Sequence, residues 1–197
     1  MKKMTEFEFQ LFCRDASTDD ESFLDSLYEA GCDDAIVSFK DGYLCLDFSR
    51  QAENAEDAVV SAIRDFKRSE IGGTIERVEP EDLASLAEIA NRVGVTRASL
   101  QKYARGDSKV GKDFPRPAAN ISQPRRAFYS ASEVINWMFL KKRVDLPEHF
   151  VELATVIKKS NQALLVTKAR NDEGISRLVA QLTAIKTRKK NPPKSPF

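Results

Sequence analysis

The sequence predicts an α+β fold divided into three parts. Strand and helix signals alternate over residues 1–79, short helices with basic turns cover 82–144, and helical periodicity dominates 146–186. The charge changes sign near the first boundary. Residues 1–81 hold 9 Lys/Arg and 20 Asp/Glu, a net charge of −11, whereas residues 82–197 hold 22 and 10, a net charge of +12. A polyanion would be repelled by the first part and attracted by the rest.

Residues 1–79 predict elements in the order strand, helix, strand, strand, helix, strand. Phe7, Phe9 and Leu11 alternate with polar residues, which is the period of a half-buried strand. Asp41-Gly42 is a typical hairpin turn, and Gly72-Gly73 is expected to end the second helix. The order βαββαβ predicts a ferredoxin-like sandwich with two helices on one face of a four-stranded sheet. After the first strand, residues 17–20 are expected to cap a helix that ends at Gly31. The further predicted elements are strands 35–39 and 43–48, a helix 55–68 and a strand 74–78.

Residues 85–105 carry the pattern of a helix-turn-helix. Ser85 and Glu88 match the S-x-x-E capping box that begins many helices. Gly94 permits the left-handed turn after this first helix, and Thr96 is a typical N-cap for the second. The polar and basic residues of the second helix would largely point outward and supply the donors that a major groove or a phosphate accepts. They are Thr96, Arg97, Ser99, Gln101, Lys102 and Arg105.

The following residues predict a two-stranded wing and a closing helix. Phe114-Pro115-Arg116-Pro117 favours extended backbone because proline excludes helix, and Phe114 is expected to fill the gap between wing and helices. Ser130 is expected to cap the closing helix, in which Trp137 is a core residue. Gln123-Pro124-Arg125-Arg126 is a basic turn. The candidate phosphate contacts of the wing region are Arg116, Arg125 and Arg126.

Residues 82–144 resemble the winged-helix DNA-binding domains of the MerR superfamily, especially its excisionase and AlpA-like branch. The resemblance implies that the helix after Thr96 lies in the major groove and that the wing contacts the DNA backbone. The acidic first part does not match this family. The resemblance covers about 60 of 197 residues and is carried by Leu86-Ala87-Glu88-Ile89-Ala90, Val93-Gly94-Val95-Thr96, Ser99-Leu100, Tyr103, Phe114-Pro115-Arg116-Pro117 and Glu133-Val134 with Trp137.

The last part predicts long helices. Pro147 sits where a first-turn proline is tolerated, and an apolar stripe runs from there to Ile185 with an interruption at 171–174. A single DNA-binding module buries only about 600–1,000 Å², so a homodimer is expected. The stripe is its expected interface, and packing against the acidic part is the alternative. Residues 187–197 are basic and rich in proline, and disorder is expected there.

Several function classes lack support in the sequence. No apolar run reaches the roughly 18–20 residues of a membrane span, and no signal peptide is visible. Cys13, Cys32 and Cys45 lack metal-ligand spacing, which predicts free thiols in a reducing cytoplasm. His149 is the only histidine, and no phosphate-binding glycine loop or nucleophile elbow occurs. No enzyme, cofactor or metal site is predicted.

The combined prediction is a cytoplasmic, sequence-specific, double-stranded-DNA-binding transcriptional regulator, a repressor or autoregulator, that acts as a homodimer. One alternative is an antitoxin-like or anti-repressor protein whose acidic N-terminal domain binds a protein partner. A second alternative is an excisionase-like architectural protein that bends DNA for a recombinase.

Overall fold

The chain has a mixed α+β fold, as predicted. The computed structural model describes residues 3–18, 22–106, 111–121 and 126–184. The chain divides into two compact units, Met1–Gln162 and Ala163–Phe197. The first unit contains two antiparallel sheets with their helices, and the second contains helices.

The first sheet is antiparallel with the strand order β2-β3-β1-β4. Phe7, Phe9 and Leu11 are buried as the alternation predicted. The glycine pair does not end the second helix, because Ser69 caps that helix and Gly72 already begins β4. A Cβ on Gly73 would lie 2.8 Å from the carbonyl oxygen of Arg14, so glycine is needed where β4 approaches β1. The elements are β1 (Thr5–Ala16), α1 (Ser22–Glu29), β2 (Ala35–Lys40), β3 (Tyr43–Ala52), α2 (Ala55–Arg68) and β4 (Gly72–Glu79).

Strand β3 extends beyond the predicted end at 48 because a buried arginine continues its inward face. Arg50 is 7% exposed and donates hydrogen bonds of 2.8 Å to both carboxylate oxygens of Asp34 and of 2.6 Å to Asp65. Burial alone would lower the pKa of Arg50, but its hydrogen bonds to these two carboxylates raise it. An arginine at a core position interrupts the apolar alternation from which a strand is predicted, so the continuation of β3 to Ala52 was not predicted.

The second sheet has the order β5-β7-β6 and packs with four helices. Its short strand β5 was not predicted, and it pairs with β7 in the register Leu83↔Ser130. Trp137 is 6% exposed and its ring centroid lies 5.0 Å from that of Phe114, so both residues occupy the predicted core positions. The elements are β5 (Leu83–Ser85), α3 (Leu86–Arg92), α4 (Arg97–Ala104), β6 (Ala119–Ile121), β7 (Arg126–Ser130) and α5 (Ala131–Leu140).

Helix α6 (Glu148–Arg170) ties the two sheets of the first unit together. Val151, Leu153 and Ile157 are buried. The side chain of Asn161 accepts a 2.7 Å hydrogen bond from the Val78 N–H and donates one of 2.8 Å to the Val78 carbonyl. Residues 148–161 therefore pack within the chain. The prediction that the whole stripe from Pro147 forms a dimer interface is wrong for this stretch, because its buried side chains are already covered.

In the second unit, the helix break falls at the predicted place. Asp172 precedes α7 (Glu173–Ala184), and its carboxylate accepts a 3.0 Å hydrogen bond from the Ile175 N–H. Helix α7 exposes an apolar stripe along its described length. The residues for which disorder was expected, 187–197, lie outside the described part of the chain.

The three cysteines are free and buried. Burial raises the pKa of Cys13 to about 12 and that of Cys32 to about 11, so both thiols are protonated at neutral pH. Within the described ranges, no helix has both the length and the apolar character needed to cross a bilayer.

Asn161→Ala should destabilise the first unit by about 2 kcal/mol, because the buried N–H and carbonyl of Val78 would both lose their partner. Urea denaturation measures the change. Gln162→Ala is the matched control, since Gln162 is exposed on the next position of the same helix and should change stability by less than about 0.5 kcal/mol. Equal effects of the two substitutions would contradict the assigned role of Asn161.

Candidate nucleic-acid interface

Local capping signals position α3 and α4. The Ser85 hydroxyl accepts a hydrogen bond from the Glu88 N–H, and the Glu88 carboxylate accepts one of 2.7 Å from the Ser85 N–H, so the predicted capping box is present. Gly94 adopts a φ of 69° in the turn, as expected for the residue that ends α3. The Thr96 hydroxyl accepts a 3.2 Å hydrogen bond from the Ser99 N–H and begins α4. These contacts fix the start of both helices.

Helix α4 is anchored on one side and basic on the other. Leu100 is fully buried, and the ring centroid of Tyr103 lies 5.3 Å from that of Trp137. Arg97, Lys102 and Arg105 are exposed. Among the described residues, none of these three cations forms an ion pair with a carboxylate. Three unpaired cations on one short helix are available to an anionic ligand.

The other predicted α4 residues differ in accessibility. Thr96 is exposed, whereas Ser99 and Gln101 are half-buried. The hydroxyl of Ser99 lies 2.9 Å from that of Thr96, so it is partly engaged in the helix cap. The amide of Gln101 lies 3.1–3.2 Å from the Arg97 guanidinium and accepts two hydrogen bonds when its oxygen faces that group. Gln101 therefore helps to orient Arg97.

Ala98 belongs to the outward surface of α4, although the sequence prediction did not include it. It is exposed between the basic residues, on the side opposite Leu100. Only side chains with hydrogen-bond donors or acceptors were predicted, but the helical period of 3.6 already places position 98 near the centre of the outward arc. A methyl group at this position leaves room for a base edge to approach and can contact a thymine methyl.

One flank of α4 borders a groove of about 750 Å³. Its floor includes residues of α3, α4 and β7, and Glu88 is the one carboxylate among the lining residues. Hydrogen bonds from the Ser85 side chain and backbone lower the pKa of Glu88, which keeps this carboxylate ionised. The lining residues are Ser85, Leu86, Ala87, Glu88, Arg97, Gln101, Ala104, Arg105, Ala127, Phe128 and Tyr129.

The wing region is described in part. Arg116 is exposed in the predicted extended segment, whose Phe114 packs on Tyr129 with ring centroids 5.9 Å apart. Arg126 begins β7 opposite Ile121. The prediction for Arg125 lies outside the described residues. Arg116 is not among the residues that line the groove beside α4.

Comparisons with models of protein families, with curated proteins and with solved structures found no match to this chain. The resemblance to winged-helix DNA-binding domains thus depends on the sequence motifs alone.

Ser85→Ala should raise the pKa of Glu88 towards its ordinary value and cost about 1 kcal/mol of stability, because it removes one half of the capping box. In the parent protein, the lowered pKa contributes stability above the ordinary glutamate pKa, and this contribution is lost as the pH falls through the lowered pKa. The substitution should therefore flatten the loss of stability on acidification. NMR titration of Glu88 and urea denaturation at several pH values measure both effects.

Thr96→Ala is the matched control, since it removes a helix cap of the same kind without touching Glu88. It should lower stability by a similar amount and leave the Glu88 titration unchanged. A Glu88 pKa that stays the same in Ser85→Ala would contradict the proposed cause of its shift.

Proposed function

We propose that this chain is a sequence-specific double-stranded-DNA-binding transcriptional regulator that places α4 in the major groove. The observation that carries the proposal is the exposed set of Arg97, Lys102 and Arg105, which have no carboxylate partner among the described residues. Arginine and lysine at such positions bind guanine edges and phosphates. Leu100 and the caps of α4 hold these cations on a fixed surface.

The arrangement of the middle elements supports a winged helix-turn-helix of the MerR and AlpA-like kind. Two short helices joined at Gly94 precede the β6–β7 pair, and α5 closes the core through Trp137. In the proposed complex, the β6–β7 pair and the segment with Arg116 lie beside the neighbouring phosphates. For the first sheet, the antiparallel order β2-β3-β1-β4 supports a ferredoxin-like sandwich. The two helices α1 and α2, which connect β1 to β2 and β3 to β4, support it as well.

The charge distribution supports DNA as the ligand. Residues 82–144 hold 12 Lys/Arg and 5 Asp/Glu, a net charge of +7, next to an acidic part with a net charge of −11. A duplex approaching this chain is attracted to one part and repelled by the other, which orients the encounter. Attraction of this kind weakens as salt rises.

The proposed regulator is a homodimer that meets through the second unit. Ile175, Leu178, Val179 and Leu182 follow the spacing i, i+3, i+4 and i+7 on α7 and are 42–66% exposed. Two copies of this stripe can cover each other. A dimer would double the DNA contact area and match a two-fold operator.

Selection of bound fragments from random duplex DNA, repeated at two salt concentrations, tests the proposal. The expected result is an inverted repeat that is still enriched at the higher salt concentration. Enrichment of no sequence, with binding lost as salt rises, would leave only non-specific attraction to the basic surface and would overturn the proposal.

Arg97→Ala should weaken binding to the selected operator about 5- to 100-fold and relax its sequence preference, as expected for the loss of a base contact. Arg116→Ala should weaken binding to all sequences alike and flatten the salt dependence, as expected for a phosphate contact. Electrophoretic mobility shift and fluorescence anisotropy give the dissociation constants. Lys67→Ala is the control, because Lys67 is an exposed cation on α2 of the acidic part. The proposed groove assignment is wrong if Arg97→Ala binds like the parent.

The double variant Leu178→Asp with Leu182→Asp should convert the dimer to a monomer and weaken operator binding, because two carboxylates would lie in the apolar stripe. Sedimentation velocity measures the oligomeric state. Ser176→Asp, on the exposed surface of the same helix, is the control and should leave the dimer intact. A dimer that persists in the double variant places the interface elsewhere.

A further inference from the structure

The two edge strands of the first sheet, β4 and β2, differ in what contacts their outer backbone groups. At the β4 edge, Asn161 pairs with both the N–H and the carbonyl of Val78, so helix α6 covers the backbone there. At the opposite edge, β2 pairs with β3 on one side and with no strand of the described chain on the other. An uncovered strand edge offers unpaired backbone groups to another chain.

Large apolar side chains surround this open edge. Ile36 and Phe39 of β2 are 73% and 62% exposed, and Leu24 and Tyr28 of the neighbouring helix α1 are 46% and 67% exposed. Phe23 and Phe39 place α1 beside β2, with ring centroids 6.3 Å apart. We call β2 together with Leu24 and Tyr28 the β2 edge. Ile36 and Phe39 lie on opposite faces of β2, and the outer edge of β2 pairs with no strand of the described chain, which is the combination that strand-adding partners use.

The β2 edge is surrounded by acidic residues, and their negative charge indicates which kind of partner can bind there. Residues 22–49 contain six carboxylates and a single basic residue, Lys40, and of the six only Asp34 is paired with a buried arginine, Arg50. A second copy of the β2 edge would bring two acidic surfaces together, and like charges at close approach oppose that pairing. A basic segment would be attracted. The other five carboxylates form no ion pair among the described residues and are Asp25, Glu29, Asp33, Asp41 and Asp47.

We propose that the β2 edge binds an extended, basic segment of a protein partner by strand addition. The backbone of that segment pairs with β2, the apolar side chains on its two faces pack on Ile36 and on Phe39, and its Lys or Arg residues face the surrounding carboxylates. This surface lies in the acidic part, and its assignment does not depend on DNA binding by α4.

A fluorescein-labelled heptapeptide, Val-Val-Lys-Lys-Val-Val-Lys, places valine on both faces of an added strand and is the probe, and fluorescence anisotropy with the full chain is the measurement. Phe39→Asp and Ile36→Asp should each raise the dissociation constant at least about tenfold, because an apolar contact is lost. Attachment by charge alone would instead be strengthened by the added carboxylate. Both positions are exposed, so circular dichroism should show the parent fold. Val60→Asp is the matched control on α2, where Val60 is 52% exposed, and should not weaken binding.

A second peptide of the same sequence with an N-methyl group on every residue tests the backbone pairing, since it keeps the charge but can donate no backbone hydrogen bond from either edge. Strand addition requires that this peptide binds much more weakly. Equal binding of the two peptides, or equal binding to Phe39→Asp and Val60→Asp, overturns the proposal. It is also overturned if sedimentation velocity without peptide shows that Phe39→Asp alone dissociates a dimer, because a second copy would then occupy the β2 edge. Operator binding by the same variants is the separate readout for α4.

Discussion

Helix α6 holds the acidic sheet and the basic second sheet in one unit. Its buried side chains Leu153 and Ile157 supply the apolar contact, and Asn161 supplies a polar contact by pairing with the N–H and the carbonyl of Val78 in β4. Lys158 adds a third contact, since its ammonium lies 2.8 Å from Glu133 and 3.7 Å from Asp82, at the start of α5 and before β5. A net charge of −11 thus lies beside a net charge of +7 without covering Arg97, Lys102 or Arg105. The strong charge separation is built into a fixed arrangement, and α4 stays accessible.

The accessible surface of α4 is not uniform. Arg97 and Gln101 lie in the groove with Glu88, whose carboxylate is kept ionised by the capping box, whereas Lys102 is absent from that groove. A phosphate is repelled near Glu88, but a base edge with an amino group can donate to a carboxylate. In the proposed complex, the flank beside α3 would therefore face base edges, and the flank with Lys102 would face the DNA backbone. The capping residue that begins α3 also shapes the chemistry of the candidate interface.

The features that were predictable from sequence are those set by neighbours within a few residues. Ser85, Thr96 and Ser130 each cap a helix through a residue three positions later, and the position of each cap was correct. The missed features depend on distant partners. Strand β5 exists because Leu83 pairs with Ser130. The structural role of Asn161 depends on its hydrogen bonds to Val78, 83 positions away in the sequence. In the candidate interface, the exposed cations followed from the helical period. Ala98 was missed because donors were counted and position on the helix was not.

The β2 edge and the α7 stripe both expose several large apolar groups, and their local charges differ. The β2 edge lies among five carboxylates without an ion pair in the described part of the chain and one lysine, so two copies would repel each other there and a basic segment would be attracted. Residues 163–184 hold three basic and two acidic residues, a net charge of +1, so copies of the α7 stripe can meet without a comparable charge penalty. Burial of apolar area favours association at either place. In the two proposals, the local charge is therefore what separates the surface for a second copy from the surface for a different protein.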